Sequence, residues 1–179
     1  MTLTDREFWT GLHGMIFGAG FLLAFAGGVV GLSSLRPEWI TADGNKASMR
    51  RVMIVTWAMA VLAWAAVLLG TYLIYPWYRA QPPSGVSGLS LQVYPRSYLL
   101  SGAGTSGWHQ FGMEWKEHVA WFAPILATAV AYAVTHQRAS LYRDARLRRM
   151  LLVLFSISFF CAAIAGLFGA LINKAAAVR

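Results

Sequence analysis

The chain has 179 residues, of which 58% are hydrophobic and only 12% charged, with a mean hydropathy of +0.53. Soluble domains carry about 25% charged residues, so composition argues against a soluble enzyme, a disordered tail or a nucleic-acid module. Fifteen basic residues against seven acidic ones give a formal charge of +8, which in so apolar a chain reads as basic membrane loops rather than a polyanion-binding surface.

Four windows free of Asp, Glu, Lys and Arg succeed one another: Phe8 to Leu35, Val52 to Tyr78, His118 to Gln137 and Met150 to Asn173. Each reaches the ~20 residues that cross ~30 Å of hydrocarbon as a helix. Lipid offers backbone groups no hydrogen-bond partner, so uninterrupted helix is the economical solution. The expectation is an all-α integral membrane bundle of four transmembrane helices, a single membrane domain over 1–179. The helices are placed at about 8–33, 52–75, 116–136 and 150–172, with a long outer loop over 79–115.

The first window is preceded by a start, Met1 to Glu7, without a net-positive charge. Its apolar run exceeds the ~7–15 residues of a signal-peptide core, so it is read as a retained helix. Small residues recur along it. At about 100° per residue, Phe17, Gly20, Ala24, Gly27 and Gly31 fall on the face of His13, and Gly14/Gly18 and Gly27/Gly31 keep the spacing of close helix contact. Such a stripe serves helix packing, and it also leaves a slot for a flat cofactor. Asp43-Gly44-Asn45 then reads as a turn.

Lys and Arg set the orientation. Arg36, Lys46, Arg50 and Arg51 precede the second helix, and Arg138, Arg143, Arg146, Arg148 and Arg149 lie between the third and fourth. Arg6, Arg79, Arg96, Lys116, Lys174 and Arg179 lie on the other side. Nine against six, in shorter segments, places the basic loops in the cytoplasm. Both termini and the 79–115 loop then face outward, to the periplasm of a bacterial cytoplasmic membrane. The Arg143–Arg149 cluster rests on the anionic inner leaflet.

Within the outer loop, Gln81 to Gly85 must be turn or coil, and Leu89 to Tyr94 reads as a short strand or an interfacial segment. Ser101 to Gly107 reads as a flexible linker. It lacks the lysine of a phosphate loop. Aromatic residues cluster at the helix ends: Phe8, Trp9, Tyr75, Trp77, Tyr78, Trp108, Trp115 and Trp121. They form an interfacial belt. No internal repeat supports an inverted-repeat transporter.

Candidate chemistry centres on histidine. His13 and His118 lie at matched depth near the outer ends of the first and third helices, where an ionisable side chain is costly and suggests function. Imidazoles from facing helices can supply both axial ligands of an iron porphyrin, with Arg79, Arg96 and Lys116 available to its propionates. His118 shares a face with Ile125, Ala129, Tyr132 and His136. Glu114 and Glu117 precede it at helical spacing. They can orient the ring, bind a divalent metal or handle protons at a quinol site, and they also suit a helix N-terminus. His109 reads as an exposed loop residue, with replacement ligand and proton relay as alternatives. His136 reads as a solvated helix end. Pro124 is positioned to kink the third helix. Cys161, the only cysteine, excludes an internal disulfide, a CxxCH haem attachment and a cysteine-rich metal site.

These features resemble the broad class of membrane b-type cytochrome subunits. The likeness covers the helical architecture and the His13/His118 pair. It implies haem b and electron exchange with quinol or a c-type cytochrome inside a larger respiratory complex. The sequence departs from the common two-haem pattern, since His136 lies about 27 Å along the helix from His118 with no second histidine at its level, so one haem, on the outer side, is expected. The implied partners are the lipid bilayer and other membrane or periplasmic redox subunits, with neither nucleic acid nor a soluble small-molecule substrate. The chain is thus expected to be an electron-transfer or accessory subunit rather than a free-standing enzyme. The competing expectation is a cofactor-free structural or assembly subunit.

Overall fold

The computed structural model describes residues 3–35 and 42–176, apart from the side chains of Ile16 and of residues 42–45. The described chain is 88% helix and contains no strand. Four helices are long and apolar enough to cross a membrane: Asp5–Ser34, Lys46–Tyr78, Trp108–His136 and Ala145–Ala175. In chain order they are the first to fourth spans. Arg36, in the first basic loop, and the terminal Arg179 lie outside the described residues.

The first and fourth spans start before the sequence-derived boundaries because their N-termini are capped. Thr4 accepts a hydrogen bond from the Glu7 amide at 3.2 Å, and the Glu7 carboxylate accepts one from the Thr4 amide at 2.9 Å. This reciprocal box satisfies two otherwise orphaned donors and starts the helix at Asp5. Asp144 caps the fourth span in the same way, accepting from the amides of Arg146 and Leu147 at 2.8 and 3.0 Å. The expected turn at Asp43-Gly44-Asn45 is instead the first turn of a helix, Ala42–Leu69. Asp, Asn and Gly suit a helix start as well as a turn.

The 79–115 loop is shorter and more ordered than expected. Two tight turns use Gly85 and Gly88, with φ of +91° and +59°. The segment expected as a strand or interfacial piece is a 3₁₀ helix, Gly88–Val93, and a short α-helix of about two turns comes next at Pro95–Ser101. The serine- and glycine-rich stretch is no loose linker. Thr105 Oγ1 donates to the Leu99 carbonyl at 2.8 Å, and the Ser106 amide donates to the Gly102 carbonyl at 2.9 Å.

The chain divides into two compact units. The loop unit comprises Met1–Gly18, Ala65–Trp121 and Ala163–Arg179, and the glycine unit comprises Ala19–Trp64 and Phe122–Ala162. In the glycine unit, Phe21, Leu32, Val52, Met59, Val130, Val134, Leu151 and Phe155 belong to one apolar core. The glycine stripe is filled there by side chains. A Cβ on Gly20, Gly27 or Gly31 would stand 3.1, 3.2 or 2.7 Å from Leu62, Val55 or Val52, and one on Gly28 would stand 2.4 Å from Phe155. The stripe serves close helix contact, and its slot is taken by residues of the second and fourth spans. Thr56 and Ser158, both fully buried, bond to helix carbonyls of Val52 and Ala123 at 2.9 and 2.8 Å. Trp57 and Trp64 donate to Thr135 and Thr128, each at 3.0 Å, tying the second span to the third.

The loop unit has its own smaller core of Tyr78, Leu99, Met113, Ile172 and Ala176. It also holds three stretches of π-helix: Leu12–Ile16, Gly70–Ile74 and Trp108–Met113. A π turn inserts an extra residue and so rotates the helix on its N-terminal side relative to the helix on its C-terminal side. Such bulges are rare, and they concentrate at functional sites.

Candidate functional site

The π turns gather the ionisable residues of the loop unit. His13 lies in the first of them, and its ring packs on Gly70 in the second. A Cβ on Gly70 would stand 2.9 Å from His13 Cε1. Only glycine leaves room for the imidazole. The Ala66 backbone lies near the ring without a formed hydrogen bond to Nδ1, and the charge of Lys116 acts on the ring. Nδ1 of His13 is buried with no partner, and so is Oγ1 of Thr10, three residues earlier. Two unsatisfied polar atoms inside an apolar unit are costly and call for an explanation.

Lys116 reaches inward from the third span. A Cβ on Gly169 would stand 3.1 Å from its Nζ, so glycine again makes the room. The Glu117 carboxylate beside it and the Arg79 guanidinium both act on the Tyr75 phenol. The Arg79 guanidinium lies over the Tyr75 ring at 5.3 Å. Tyr75 stacks on Tyr78 with ring centroids 6.2 Å apart. The Tyr78 side chain is buried, and its hydroxyl is 2.8 Å from Nδ1 of His109. The charges of Arg96, Glu117, Glu114 and Arg79 all act on that imidazole. A phenol–carboxylate pair and a phenol–imidazole pair thus lie side by side, with Lys116 and His13 close by.

His118 is not part of this set. It stands two residues from Lys116, about 200° around the helix, and its side chain is 71% exposed. Its Nδ1 lies 3.0 Å from the Glu114 carbonyl and 3.3 Å from the Glu114 carboxylate, leaving Nε2 free. The expected face of His118, Ile125, Ala129, Tyr132 and His136 does exist, and it is exposed along its length. His136 is exposed as well and stacks on Tyr132 at 4.0 Å. The structure leaves His118 on an exposed side of its helix, while the third-span charge that acts on His13 is that of Lys116. A constant 100° per residue ignores the π turns at 12–16 and 108–113, which re-aim the chain on their two sides.

The remaining expected residues separate in the same way. Of the residues proposed for propionates, Arg79 and Arg96 act on the tyrosines and His109, and Lys116 is turned inward. Glu117 joins the cluster, whereas Glu114 pairs with His118. His109 is half-buried and bonded, not simply exposed. Thr10, Gly70, Tyr75 and Tyr78 carry no motif. The tyrosines were assigned to the aromatic belt, and only their nearness to charged loop residues hinted at more. Among the described residues no group of three His, Cys, Asp or Glu side chains could hold a metal ion. No family model, curated protein or solved structure matches the chain.

Proposed function

We propose that this chain is a membrane subunit of a redox complex that exchanges protons at the ionisable cluster of its loop unit, on the outward, periplasmic side of a bacterial membrane. The observation that carries the reading is the buried, unpartnered Nδ1 of His13 beside Thr10 and Lys116, with the Glu117–Tyr75 and Tyr78–His109 pairs next to them. Ionisable side chains in membrane spans mark proton relays and ligand sites, and each pair here can hold a proton on either partner. Among the described residues of the glycine unit the buried polar side chains are Thr56 and Ser158, both bonded to helix carbonyls. The arrangement therefore favours exchange with a reaction on one side, such as quinol oxidation by a neighbouring redox centre, over a channel.

A second reading is favoured by His118. Its Nδ1 is held by its own helix while Nε2 is exposed, the posture in which a histidine ligates a metal. A haem b held there would take its other ligand from a partner subunit, since His13 faces the Lys116 side.

Infrared difference spectra of the reconstituted protein, recorded across a pH step, test the first reading. A carboxyl band that Glu117→Gln removes and Tyr75→Phe shifts is the expected result. Spectra in which neither substitution changes any band would overturn it. The optical spectrum of the native complex tests the second: a Soret band lost in His118→Ala supports it, and a colourless complex excludes it.

A further inference from the structure

The glycine unit carries a second polar feature, at the ends of its helices that the basic loops join. Lys46, Met49, Arg50 and Met53 of the second span, with Arg138 and Tyr142 just beyond the third, line an open cavity of about 400 Å³. Lys46 and Arg50 are one helical turn apart, as are Met49 and Met53, so cations and thioethers form two adjacent rows. Among the described residues no carboxylate pairs with Lys46, Arg50 or Arg138. The carboxylate of Asp144 is engaged by the backbone of the fourth span. Arg138 is held in place because its Nε donates to the Thr135 carbonyl at 2.8 Å, which leaves its terminal nitrogens for another acceptor. Burial pushes the Tyr142 phenol up, so it stays a hydroxyl.

Three cations with no carboxylate partner among the described residues, over a thioether floor, match one kind of ligand: a phosphate ester with an apolar body. The position supplies the source. Lys46 begins the second span and Arg138 lies two residues past the end of the third, which is headgroup depth. Basic pockets between spans at this depth suit anionic lipid headgroups. A free phosphate would satisfy the cations and leave the partly exposed Met53 uncovered.

We propose that this cavity is a binding site for an anionic phospholipid, its phosphate held by Lys46, Arg50 and Arg138 and its glycerol and upper acyl chain lying on Met49 and Met53.

The full chain in detergent, delipidated and titrated with dioleoylphosphatidylglycerol, dioleoylphosphatidylcholine or inorganic phosphate while its native mass spectrum is recorded, tests this. The phosphatidylglycerol adduct should form at the lowest concentration. Each cation beside an anionic headgroup is worth roughly fivefold in binding. Lys46→Gln/Arg50→Gln should therefore weaken the adduct by about twentyfold or more, while leaving the Arg138 helix-end bond intact. A control, Arg146→Gln/Arg149→Gln, removes the same charge from the fourth span and should weaken it far less. Equal weakening in both doubles would mean general surface charge and would overturn the proposal. So would equal adducts with phosphatidylcholine, or an inorganic phosphate adduct that competes the lipid away.

Discussion

Gly28 offers the most direct check on the packing of the glycine unit. An added Cβ would stand 2.4 Å from Cε1 and 2.7 Å from Cζ of Phe155, inside any real carbon–carbon contact. The ring is fully buried, lies 5.5 Å from Phe25, and Phe25 is itself stacked on Phe159 at 4.1 Å. A rigid ring so enclosed cannot rotate away cheaply, and overpacking of this kind costs about 1–3 kcal/mol. Alanine's better helix propensity returns up to about 1 kcal/mol, so Gly28→Ala should lose about 1–2 kcal/mol net. Gly18 and Gly166 are the internal comparison. Nothing stands within 4 Å of a Cβ at either, so alanine there should be neutral or stabilising. Reversible unfolding in mixed micelles reads the difference. A further arm, Phe155→Leu in the Gly28→Ala background, should cost less than Phe155→Leu alone, since it removes the clash. Equal stabilities for Gly28→Ala and Gly18→Ala would refute the claim that these glycines are occupied by neighbouring side chains.

The other expectations concern single contacts. Trp64→Phe removes the hydrogen bond to Thr128, and unfolding in the same micelles should show a loss of about 0.5–1.5 kcal/mol, since interhelical bonds in membranes are modest. Tyr78→Phe leaves Nδ1 of His109 unbonded, so nitrogen NMR of labelled histidine should show that one ring changing its protonation behaviour while His136 stays as it was. Gly70→Ala places a methyl carbon 2.9 Å from the His13 ring, and the same spectra should show the His13 resonances moving with the others fixed.

Composition and spacing alone made part of this molecule legible in its sequence. Four spans come from charge-free windows, and the small-residue face of the first span comes from helical period. Gly20, Gly27 and Gly31 do meet the second span. The face shared by His118, Ile125, Ala129, Tyr132 and His136 is there too, but it is exposed. Its direction was the part that could not be read, because periodicity groups residues on a face without saying whether the face looks inward. Apolar side chains suit lipid and protein interior equally, so the usual inside–outside contrast is missing in a membrane chain. The candidate site suffered most. Pairing His13 with His118 assumed uniform helix, and the chain departs from it in the π turns at 12–16 and 108–113. Gly70, on which the His13 ring packs, and Lys116, whose charge acts on that ring, are related to it only by tertiary packing. Glycine at position 70 looks like any other membrane glycine until the ring beside it is seen.

The two units differ in how they treat buried oxygen and nitrogen, and that difference can be measured. In the glycine unit, Thr56 and Ser158 are fully buried and satisfied by helix carbonyls. In the loop unit, Thr10 Oγ1 and His13 Nδ1 have no partner. A buried polar group left unpaired costs about 1–3 kcal/mol, whereas an apolar group of the same shape removes that cost. Thr10→Val is nearly isosteric, so it should stabilise the protein by about 1 kcal/mol, while Thr56→Val, which breaks a made bond, should not. If the hydroxyl of Thr10 is kept for the exchange of protons around His13, the stabilised variant should also lose or shift the infrared bands of the ionisable cluster. A Thr10→Val protein that is less stable than its parent would show that the hydroxyl is satisfied after all, and the case for a poised site at His13 would lose its main support.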